Sequence, residues 1–317
     1  MLLRPPLREY RTWTLDSRYW RGYAPRPDDI VIATAPKCGT TWMQQIVSSL
    51  VFQDARVRAL PSVSPWVEAR FRFTAEQARI ALAALPHRRF LKTHLPIDGL
   101  PLYDEVKYIH VARDGRDVAL SMHNHFTGFN EQQLMRFDEI GREDPIIGRA
   151  YERPLADPAV FFRQWIATMP DRGSVVGPPN PFFFDLEAGY WAERMRPNFL
   201  LVHYADLSGD LDAEMRRIAA FLAIEVDEDL WPSLLRAADF EAMRGAGDDL
   251  MPQTKAMFVE GSSRFFHKGV SGCWRDVLTR RDQALYESKM REWLTESLAA
   301  WLEGGWARTG DPTLALD

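Results

Sequence analysis

The sequence predicts a single α/β domain in which a mainly parallel sheet carries helices on both faces. Short apolar runs alternate along the chain with segments of helical periodicity, the order typical of β-α-β units. Four of these runs have the composition of buried strands, at 30–33, 90–91, 108–112 and 198–203. The 317 residues are enough to bury one large core. Ligands of such sheets bind at the carboxyl ends of the strands.

A loop with one lysine follows the first predicted strand and leads into a predicted helix. It has the sequence APKCGTTW at residues 35–42. Such a loop directs backbone N–H groups and the positive end of the helix toward one point, which favours phosphate or sulfate binding. Lys37 stands two residues before Gly39, whereas the lysine of an ATPase P-loop would stand at Thr40. The loop is therefore P-loop-like without being an ATPase loop, and we expect Thr40 or Thr41 to cap the helix.

The next two predicted strands are each followed by candidate polar ligands. The second strand ends in KTHLP, residues 92–96, where proline closes the strand. Within that sequence, His94 is the candidate general base, because the pKa of an imidazole suits proton transfer near neutrality. The third strand is followed by Arg113 and, eight residues later in the next helix, by Ser121. A guanidinium and a hydroxyl near a helix N-terminus predict a second phosphate site.

The remaining segments complete the predicted domain. A helical pattern at 281–302 is expected to pack on the sheet. Three segments have the composition of loops that shape a substrate mouth, at 127–157, 170–181 and 245–268. We divide the chain into an N-terminal segment that packs on the domain, the α/β domain itself and a loosely held tail, at 1–27, 28–303 and 304–317.

The composition predicts a cytoplasmic protein that holds an anionic ligand with local basic groups. With 44 acidic and 39 basic residues the net charge is -5, which does not favour nucleic-acid binding. Cys38 and Cys273 are too few for a disulfide framework, and the first residues, MLLRPP, lack the apolar core of a signal peptide. No apolar run approaches the length of a membrane span, and no cluster of side chains has the spacing of a metal site.

Three segments, in the same order along the chain, resemble the cytosolic-type sulfotransferases that use 3'-phosphoadenosine 5'-phosphosulfate (PAPS). The loop at 35–42 resembles their phosphosulfate loop. The spacing of Arg113, Asp117 and Ser121 is similar to that of the segment that grips the 3'-phosphate. The sequence FFHKGVSGCWRDVLT, residues 265–279, is similar to their late loop, RKGxxGDWKNxFT. The resemblance extends over roughly residues 28 to 280.

The resemblance implies a PAPS-dependent sulfotransferase without a metal and gives roles to particular residues. It implies catalytic roles for His94, Lys37, Lys92 and Ser121. It implies cofactor contacts from Lys37, Cys38, Gly39, Thr40, Thr41, Trp42, Arg113, Ser121, Tyr204, Phe240, Met243, His267, Lys268 and Gly269. In this family His94 would take the proton from the acceptor hydroxyl, and Lys37 would neutralise charge on the departing 5'-phosphate.

Four positions depart from the family pattern. His267 stands in place of an arginine and gives up a permanent charge, which predicts weaker or pH-dependent PAPS binding. Cys273 replaces an aspartate, and Ala238 replaces a threonine that helps to hold adenine. Cys38 replaces a serine at a helix N-terminus, where the pKa of a thiol tends to fall, although filling space is the favoured interpretation over a redox role.

The acceptor and the assembly stay open. Aromatic richness predicts a small hydrophobic alcohol or phenol as the acceptor, around Phe71, Phe73, Phe126, Phe129 and 182–184. The alternative function is a non-catalytic adenine-nucleotide or anion-binding module of the same fold, and the presence of both Lys37 and His94 argues against it. A homodimer is one option, although the family's dimer signature after the late loop lacks its valine here.

Overall fold

The computed structural model describes residues 1–168 and 183–317. Its six strands are β1 Leu2–Arg4, β2 Ile30–Thr34, β3 Phe90–Thr93, β4 Leu102–Tyr103, β5 Lys107–Ala112 and β6 Phe199–His203. Four of them form a parallel sheet in the order β3-β2-β5-β6, and β1 pairs with β4 in a separate antiparallel ribbon. The four predicted strands are therefore confirmed, and the parallel sheet brings their carboxyl ends to one edge.

The helices surround this sheet. They are α1 Thr40–Phe52, α2 Leu60–Val63, α3 Ala75–Ala84, α4 Gly115–Thr127, α5 Glu131–Glu143, α6 Pro158–Ala167, α7 Phe183–Ala192, α8 Tyr204–Gly209, α9 Leu211–Phe221, α10 Trp231–Ala237, α11 Phe240–Gly245, α12 Gly247–Leu250, α13 Thr254–Met257, α14 Ser262–Phe265, α15 Arg280–Trp293, α16 Glu296–Gly304 and α17 Trp306–Thr309. Short 3-10 helices lie at Ser17–Gly22, Ile97–Gly99, Cys273–Asp276 and Pro312–Leu314.

Alternate residues of the central strand β2 face two different core layers. Val31 and Ala33 pack with side chains of α6, α7, α15 and α16 on one face of the sheet. Ile30 and Ile32 pack with side chains of α1, α9 and α10 on the other face. Every residue of β2 is buried, as expected for a parallel strand that helices cover on both sides. The predicted fold class is confirmed.

One predicted loop is wrong, because the segment 127–157 contains the helix α5. Asn130 caps this helix by accepting a hydrogen bond from the backbone N–H of Gln133. Phe137 is buried, and Leu134 and Ile140 pack against a third cluster of aromatic and aliphatic side chains. These three apolar residues share one helix face, and the many polar residues between them hid that periodicity. The predicted loop at 170–181 lies outside the described residues.

Two further segments differ in detail from expectation. The segment 245–268 holds the short helices α12, α13 and α14 instead of continuous loop. The helical pattern at 281–302 divides into α15 and α16, because Thr295 caps a new helix through the backbone N–H of Leu298. Within the described part of the chain, no helix combines the length and the apolar character needed to cross a membrane.

The tail after Gly304, expected to be loosely held, is attached to the domain at several points. The Arg194 guanidinium donates hydrogen bonds to the backbone carbonyls of Pro312, Ala315 and Asp317, at 3.0, 3.1 and 2.6 Å. These contacts depend on an arginine more than a hundred residues earlier, so local composition did not reveal them. At the other end of the chain, Trp13 is almost fully buried in the third cluster.

Candidate functional site

The loop between β2 and α1 leaves the first N–H groups of the helix free of side-chain caps. Gly39 is the N-cap residue with φ of +103°, and no side chain accepts from the first turn. The predicted threonine cap is wrong, because the Thr40 hydroxyl instead lies 2.5 Å from the Thr34 hydroxyl. The uncapped amides of a thirteen-residue helix, together with its dipole, therefore face the space in front of the loop, which suits an anion.

Close packing around Gly39 fixes the position of an aromatic side chain. A Cβ atom at Gly39 would lie 2.9 Å from Cδ2 of Tyr204, which leaves room only for glycine. Trp42 packs edge-on against Tyr204 with ring centroids 5.3 Å apart, and against Phe240 at 6.4 Å. Its indole N–H donates to the backbone carbonyl of Ala238 at 2.7 Å. These three rings line a cleft and offer flat apolar surface to a ligand.

Arg113 lies at the other end of this cleft. Its guanidinium donates to the carbonyls of Lys37 and Val270 at 3.1 and 2.9 Å, and its Cζ lies 4.0 Å from the centre of the Tyr204 ring. The Nε–H of Arg113 is buried without a hydrogen-bond partner among the described residues. An unpaired buried donor is costly, so an anionic ligand here would satisfy a group that the protein leaves open.

At the predicted second phosphate site, the groups that face the cavity are side chains and not a free helix end. The side chain of Asp114 caps α4 by accepting from the N–H of Arg116, so that helix terminus is already occupied. The part of the sequence argument that relied on this helix N-terminus is therefore wrong. Ser121 lies in the second turn of α4 and lines the same cavity as Arg113.

The late loop covers this end of the site. His267 and Lys268 are exposed, and Gly269 has φ of +68° where a Cβ would lie 2.3 Å from Phe240. Burial and the neighbouring Lys268 lower the pKa of His267, so its imidazole is neutral near pH ~7. The loop thus presents the permanent charges of Lys268 and Arg275, whereas the related pattern has three such charges.

Both cysteines are free. Cys38 is fully buried and packs in the core beneath the sheet edge. Burial raises the pKa of its thiol, so the tendency of a helix N-terminus to lower it does not prevail, which corrects the sequence argument. The side chain of Cys38 therefore fills space, and any contact that this residue makes with a ligand comes from its backbone.

His94 follows the carboxyl end of β3, and among the described residues only one of its ring nitrogens has a hydrogen-bond partner. Its Nδ1 is 2.8 Å from the carbonyl oxygen of Thr34, so Nδ1–H is the donor and Nε2 keeps its lone pair. The backbone N–H of His94 donates to the Glu68 carboxylate at 2.8 Å. Burial and the charge of Lys92 hold the pKa of His94 well below its usual value. The ring is therefore neutral at neutral pH, the state in which a histidine accepts a proton.

Two lysines with lowered pKa values lie near His94. Burial and Arg113 lower the pKa of Lys37 to about 8, and burial and Arg72 lower that of Lys92 to about 7. Neither ammonium forms a salt bridge with a carboxylate in residues 1–168 and 183–317. Lys37 Nζ lies 3.5 Å from Nδ1 of His125, and Lys92 Nζ lies 4.7 Å from the centre of the Trp66 ring. Unpaired cations of this kind favour binding of an anion between them.

The sequence analysis missed Glu68 and His125. Glu68 is fully buried and accepts from the indole N–H groups of Trp20 and Trp66, at 2.9 and 2.6 Å, as well as from His94. It stands in an apolar, turn-rich stretch without a recognisable pattern, so only the tertiary structure reveals it. His125 lies four residues after Ser121 on α4, so the two side chains share one helix face, and no motif in the sequence singles it out.

The predicted site residues meet in one cavity of about 430 Å³. It is lined by every predicted site residue except Cys38: Lys37, Gly39, Thr40, Thr41, Trp42, Lys92, His94, Arg113, Ser121, Tyr204, Phe240, Met243, His267, Lys268 and Gly269. Met243 is almost fully buried beside the aromatic cleft. The predicted site residues other than Cys38 therefore lie around one continuous cavity.

The part of the cavity beyond His94 has an aromatic wall. This wall comprises Trp66, Phe71, Phe126, Phe129, Phe137, Phe258 and Phe265. The predictions for Phe71, Phe126 and Phe129 are confirmed in that they line the cavity. Phe73 does not line it, and Phe183 and Phe184 instead pack in the main core against Trp165. Phe182 lies outside the described residues.

Comparisons with known proteins agree with this geometry. A model of the sulfotransferase domain family matches residues 27–298. The glycolipid sulfotransferase of Mycobacterium bovis (strain BCG / Pasteur 1173P2) is 33% identical over 315 residues, which cover 93% of this chain and 94% of that protein. Sulfotransferase 1B1 of Mus musculus is 29% identical and covers 83% of each chain.

Solved structures share the fold. Retinol dehydratase in complex with androsterone and the inactive cofactor PAP gives a TM-score of 0.64 at 22% identity, covering 89% of this chain and 87% of that one. A mouse sulfotransferase complexed with PAP gives 0.62 at 20% identity, covering 88% and 89%. Because the family model and the relatives extend over most of its length, the chain belongs to the sulfotransferase family and is a PAPS-dependent sulfotransferase.

Proposed function

We propose that the protein transfers the sulfonate of PAPS to the hydroxyl of an apolar acceptor, with His94 as the general base. The observation that carries this proposal is the free Nε2 of a neutral, buried histidine in the same cavity as two unpaired lysines. PAPS supplies the sulfonate, and its bond to the 5'-phosphate oxygen breaks as the acceptor oxygen bonds to sulfur. The acceptor proton passes to Nε2 of His94.

The residues present fit PAPS at both of its phosphate ends. The uncapped amides that follow Gly39 would bind the 5'-phosphate, and Arg113 with Ser121 would bind the 3'-phosphate. The buried, unpaired Nε–H of Arg113 supports this assignment, because a phosphate oxygen would complete its hydrogen bonding. The cleft of Trp42, Tyr204 and Phe240 would enclose adenine.

The lysines would stabilise negative charge where it develops. Lys37 belongs to the loop between β2 and α1 and lines the same cavity as Gly39 and Thr40. Its ammonium would therefore lie beside the departing 5'-phosphate. Lys92 precedes His94 by two residues on β3 and would assist at the sulfonate. The carbonyl of Thr34 fixes the tautomer of His94 by accepting from Nδ1–H, so Nε2 is the nitrogen that receives the proton.

The aromatic wall supports an acceptor with a substantial apolar part. Phe71 and Phe129 belong to one buried cluster, so an alcohol or phenol would meet a preformed apolar surface. The relatives in mycobacteria are glycolipid sulfotransferases, and a glycolipid likewise combines a hydroxyl with hydrocarbon. A panel of phenols, aliphatic alcohols and glycolipids, assayed for incorporation of labelled sulfonate from PAPS, would decide between these acceptor classes.

Replacement of the base separates an enzyme from a nucleotide-binding module. We expect His94→Ala to reduce the rate of sulfonate transfer by about 10²–10⁴ while the affinity for PAP, measured by calorimetry, stays within about threefold. His87→Ala is the control, because His87 is a half-buried histidine that lies outside the cavity. A wild-type protein that binds PAP yet transfers no sulfonate to any of the acceptors would support the non-catalytic module. Undiminished transfer by His94→Ala would overturn the role of the base.

A further inference from the structure

One cation of the cavity, Arg72, lies outside the part assigned to the nucleotide. Its side chain is half-buried and lines the same cavity as His94 and Lys92. Among the residues that the structure describes, its guanidinium has no hydrogen-bond acceptor and no carboxylate partner, and its Cζ lies 5.8 Å from the centre of the Phe73 ring. Burial and the charge of Arg136 lower the pKa of Arg72. A partly desolvated guanidinium without a partner is costly, which points to a ligand as its counter-ion.

Arg72 lies on the acceptor side of the catalytic histidine. The ring of His94 contacts Trp66 with centroids 4.9 Å apart, and Trp66 contacts Phe71 at 5.6 Å. Arg72 follows Phe71 directly in the chain. The backbone of Arg72 therefore continues the aromatic surface that begins at His94, and the charge of Arg72 acts on Lys92, whose ammonium lies over the Trp66 ring. An acceptor molecule on this surface would lie in the same cavity as Arg72.

The charges of the cavity favour an anion beside the guanidinium of Arg72. Asp117 is the one carboxylate among the described residues that line the cavity, and it accepts from the N–H of Gly272 at the nucleotide end. The acceptor side thus has a cation that no acidic side chain neutralises. Lys37, Arg113 and the loop amides already account for the charges of the nucleotide, so Arg72 is available to another anionic group.

We propose that Arg72 binds an oxyanion of the acceptor, so that the preferred substrates are apolar hydroxyl compounds that also carry a carboxylate or phosphate. A guanidinium pairs with two oxygens of either group at once, which gives direction as well as charge. This inference rests on the proposed function, because it names the acceptor class of the same site. It also predicts that amine-bearing acceptors are poor substrates.

Matched acceptors test the inference. The probes are para-hydroxyphenylpropanoate and its carboxamide, which differ mainly in charge, and para-hydroxyphenylethanol with its monophosphate ester at the alkyl oxygen. With wild-type protein we expect kcat/KM for the charged member of at least one pair to exceed that of its neutral partner by about tenfold. The pair that shows the preference identifies the oxyanion as carboxylate or phosphate.

Substitution of the arginine locates the preference. We expect Arg72→Gln to bring the ratio of kcat/KM for the charged acceptor to kcat/KM for the neutral acceptor to about one, because the variant lacks the charge that pairs with the oxyanion. Arg72→Lys should keep part of the preference, because it keeps the charge and loses the two-pronged geometry. Heat unfolding of each variant checks that the fold is intact, and Arg72→Met, of similar length, replaces the glutamine variant if that one unfolds.

The outcomes distinguish this inference from the proposed function. Equal rates for both members of both pairs with wild-type protein, or a preference that persists in Arg72→Gln, would overturn the role of Arg72. Absence of transfer to every acceptor would instead count against the proposed function. In that case, calorimetry of the same pairs with PAP-loaded protein still tests Arg72, since equal affinities of wild type and Arg72→Gln for the anion would reject it.

Discussion

The protonation of single residues sets the pH range in which the site can work. The pKa of Lys37 is about 8 in the unliganded protein, so its ammonium is charged below that pH and is lost as the pH rises through it. PAP, an anion, binds the charged form better. We therefore expect the affinity for PAP, measured by calorimetry, to fall with rising pH above about 8. Lys37→Arg, with a permanent charge, should remove this dependence, and an unchanged dependence in that variant would assign the titration to another group.

The protonation of His94 limits activity at acidic pH, whereas the deprotonation of Lys37 weakens binding at alkaline pH. The pKa of His94 lies well below the usual value because burial and Lys92 disfavour the charged ring. The imidazole of His94, the proposed base, is therefore neutral at and above about pH 6.5 and becomes protonated only in more acidic solution. We expect kcat to show no decline as the pH falls through about 6.5, the ordinary pKa of a histidine, and to decline only in more acidic solution. A decline that begins near the ordinary histidine pKa would contradict the buried, desolvated state of this ring.

His267 is a place where one substitution should strengthen binding. Its imidazole is exposed and has a lowered pKa, so it carries no charge near neutrality. We expect His267→Arg to tighten PAP binding by about threefold, the effect of one exposed charge pair. The matched control ligand is adenosine 5'-phosphosulfate, which lacks the 3'-phosphate and should show no gain. An equal gain in affinity for both ligands would show that the side chain at position 267 does not contact the 3'-phosphate.

At the scale of elements, the turn from β2 into α1 depends on a glycine. Gly39 has a positive φ, and a Cβ there would lie 2.9 Å from Tyr204. We expect Gly39→Ala to weaken PAP binding by about tenfold or more and to destabilise the fold by about 1 kcal/mol, because the loop amides must shift. Gly209→Ala is the control, since no atom lies within 4 Å of its added Cβ. If the PAP affinity and the midpoint of heat unfolding of Gly39→Ala equal those of wild type, this account of the turn is contradicted.

The elements also show where sequence reasoning stops. The buried strands and the lysine-containing loop were predictable, because both have local patterns: apolar runs such as 30–33 and a turn with Gly39. The helix α5 was not, because its stability depends on the burial of Phe137 against distant aromatic rings. The cap of α1 was predicted wrongly for a similar reason, since Thr40 finds its hydrogen-bond partner, Thr34, across the loop.

At the scale of the whole molecule, one sheet edge brings the chemistry together. β2 and β3 are neighbours in register, with Ala33 opposite Thr93, so the phosphate loop and His94 emerge side by side. β5 lies on the other side of β2 and delivers Arg113 to the same edge. The sequence predicted the loop, His94 and Arg113 from separate local patterns. The parallel order of the strands predicted that they lie close together, because the carboxyl ends of parallel strands share one edge of the sheet. Glu68 and Arg72 lacked such a cue, because they lie outside the strand ends.

A crystal structure of the protein with PAP and a phenolic acceptor tests the central claim most directly. The account predicts the 5'-phosphate on the amides after Gly39, the 3'-phosphate on Arg113 and Ser121, and the acceptor hydroxyl about 3 Å from Nε2 of His94. A nucleotide bound in the reverse direction, or a hydroxyl placed away from His94, would contradict it.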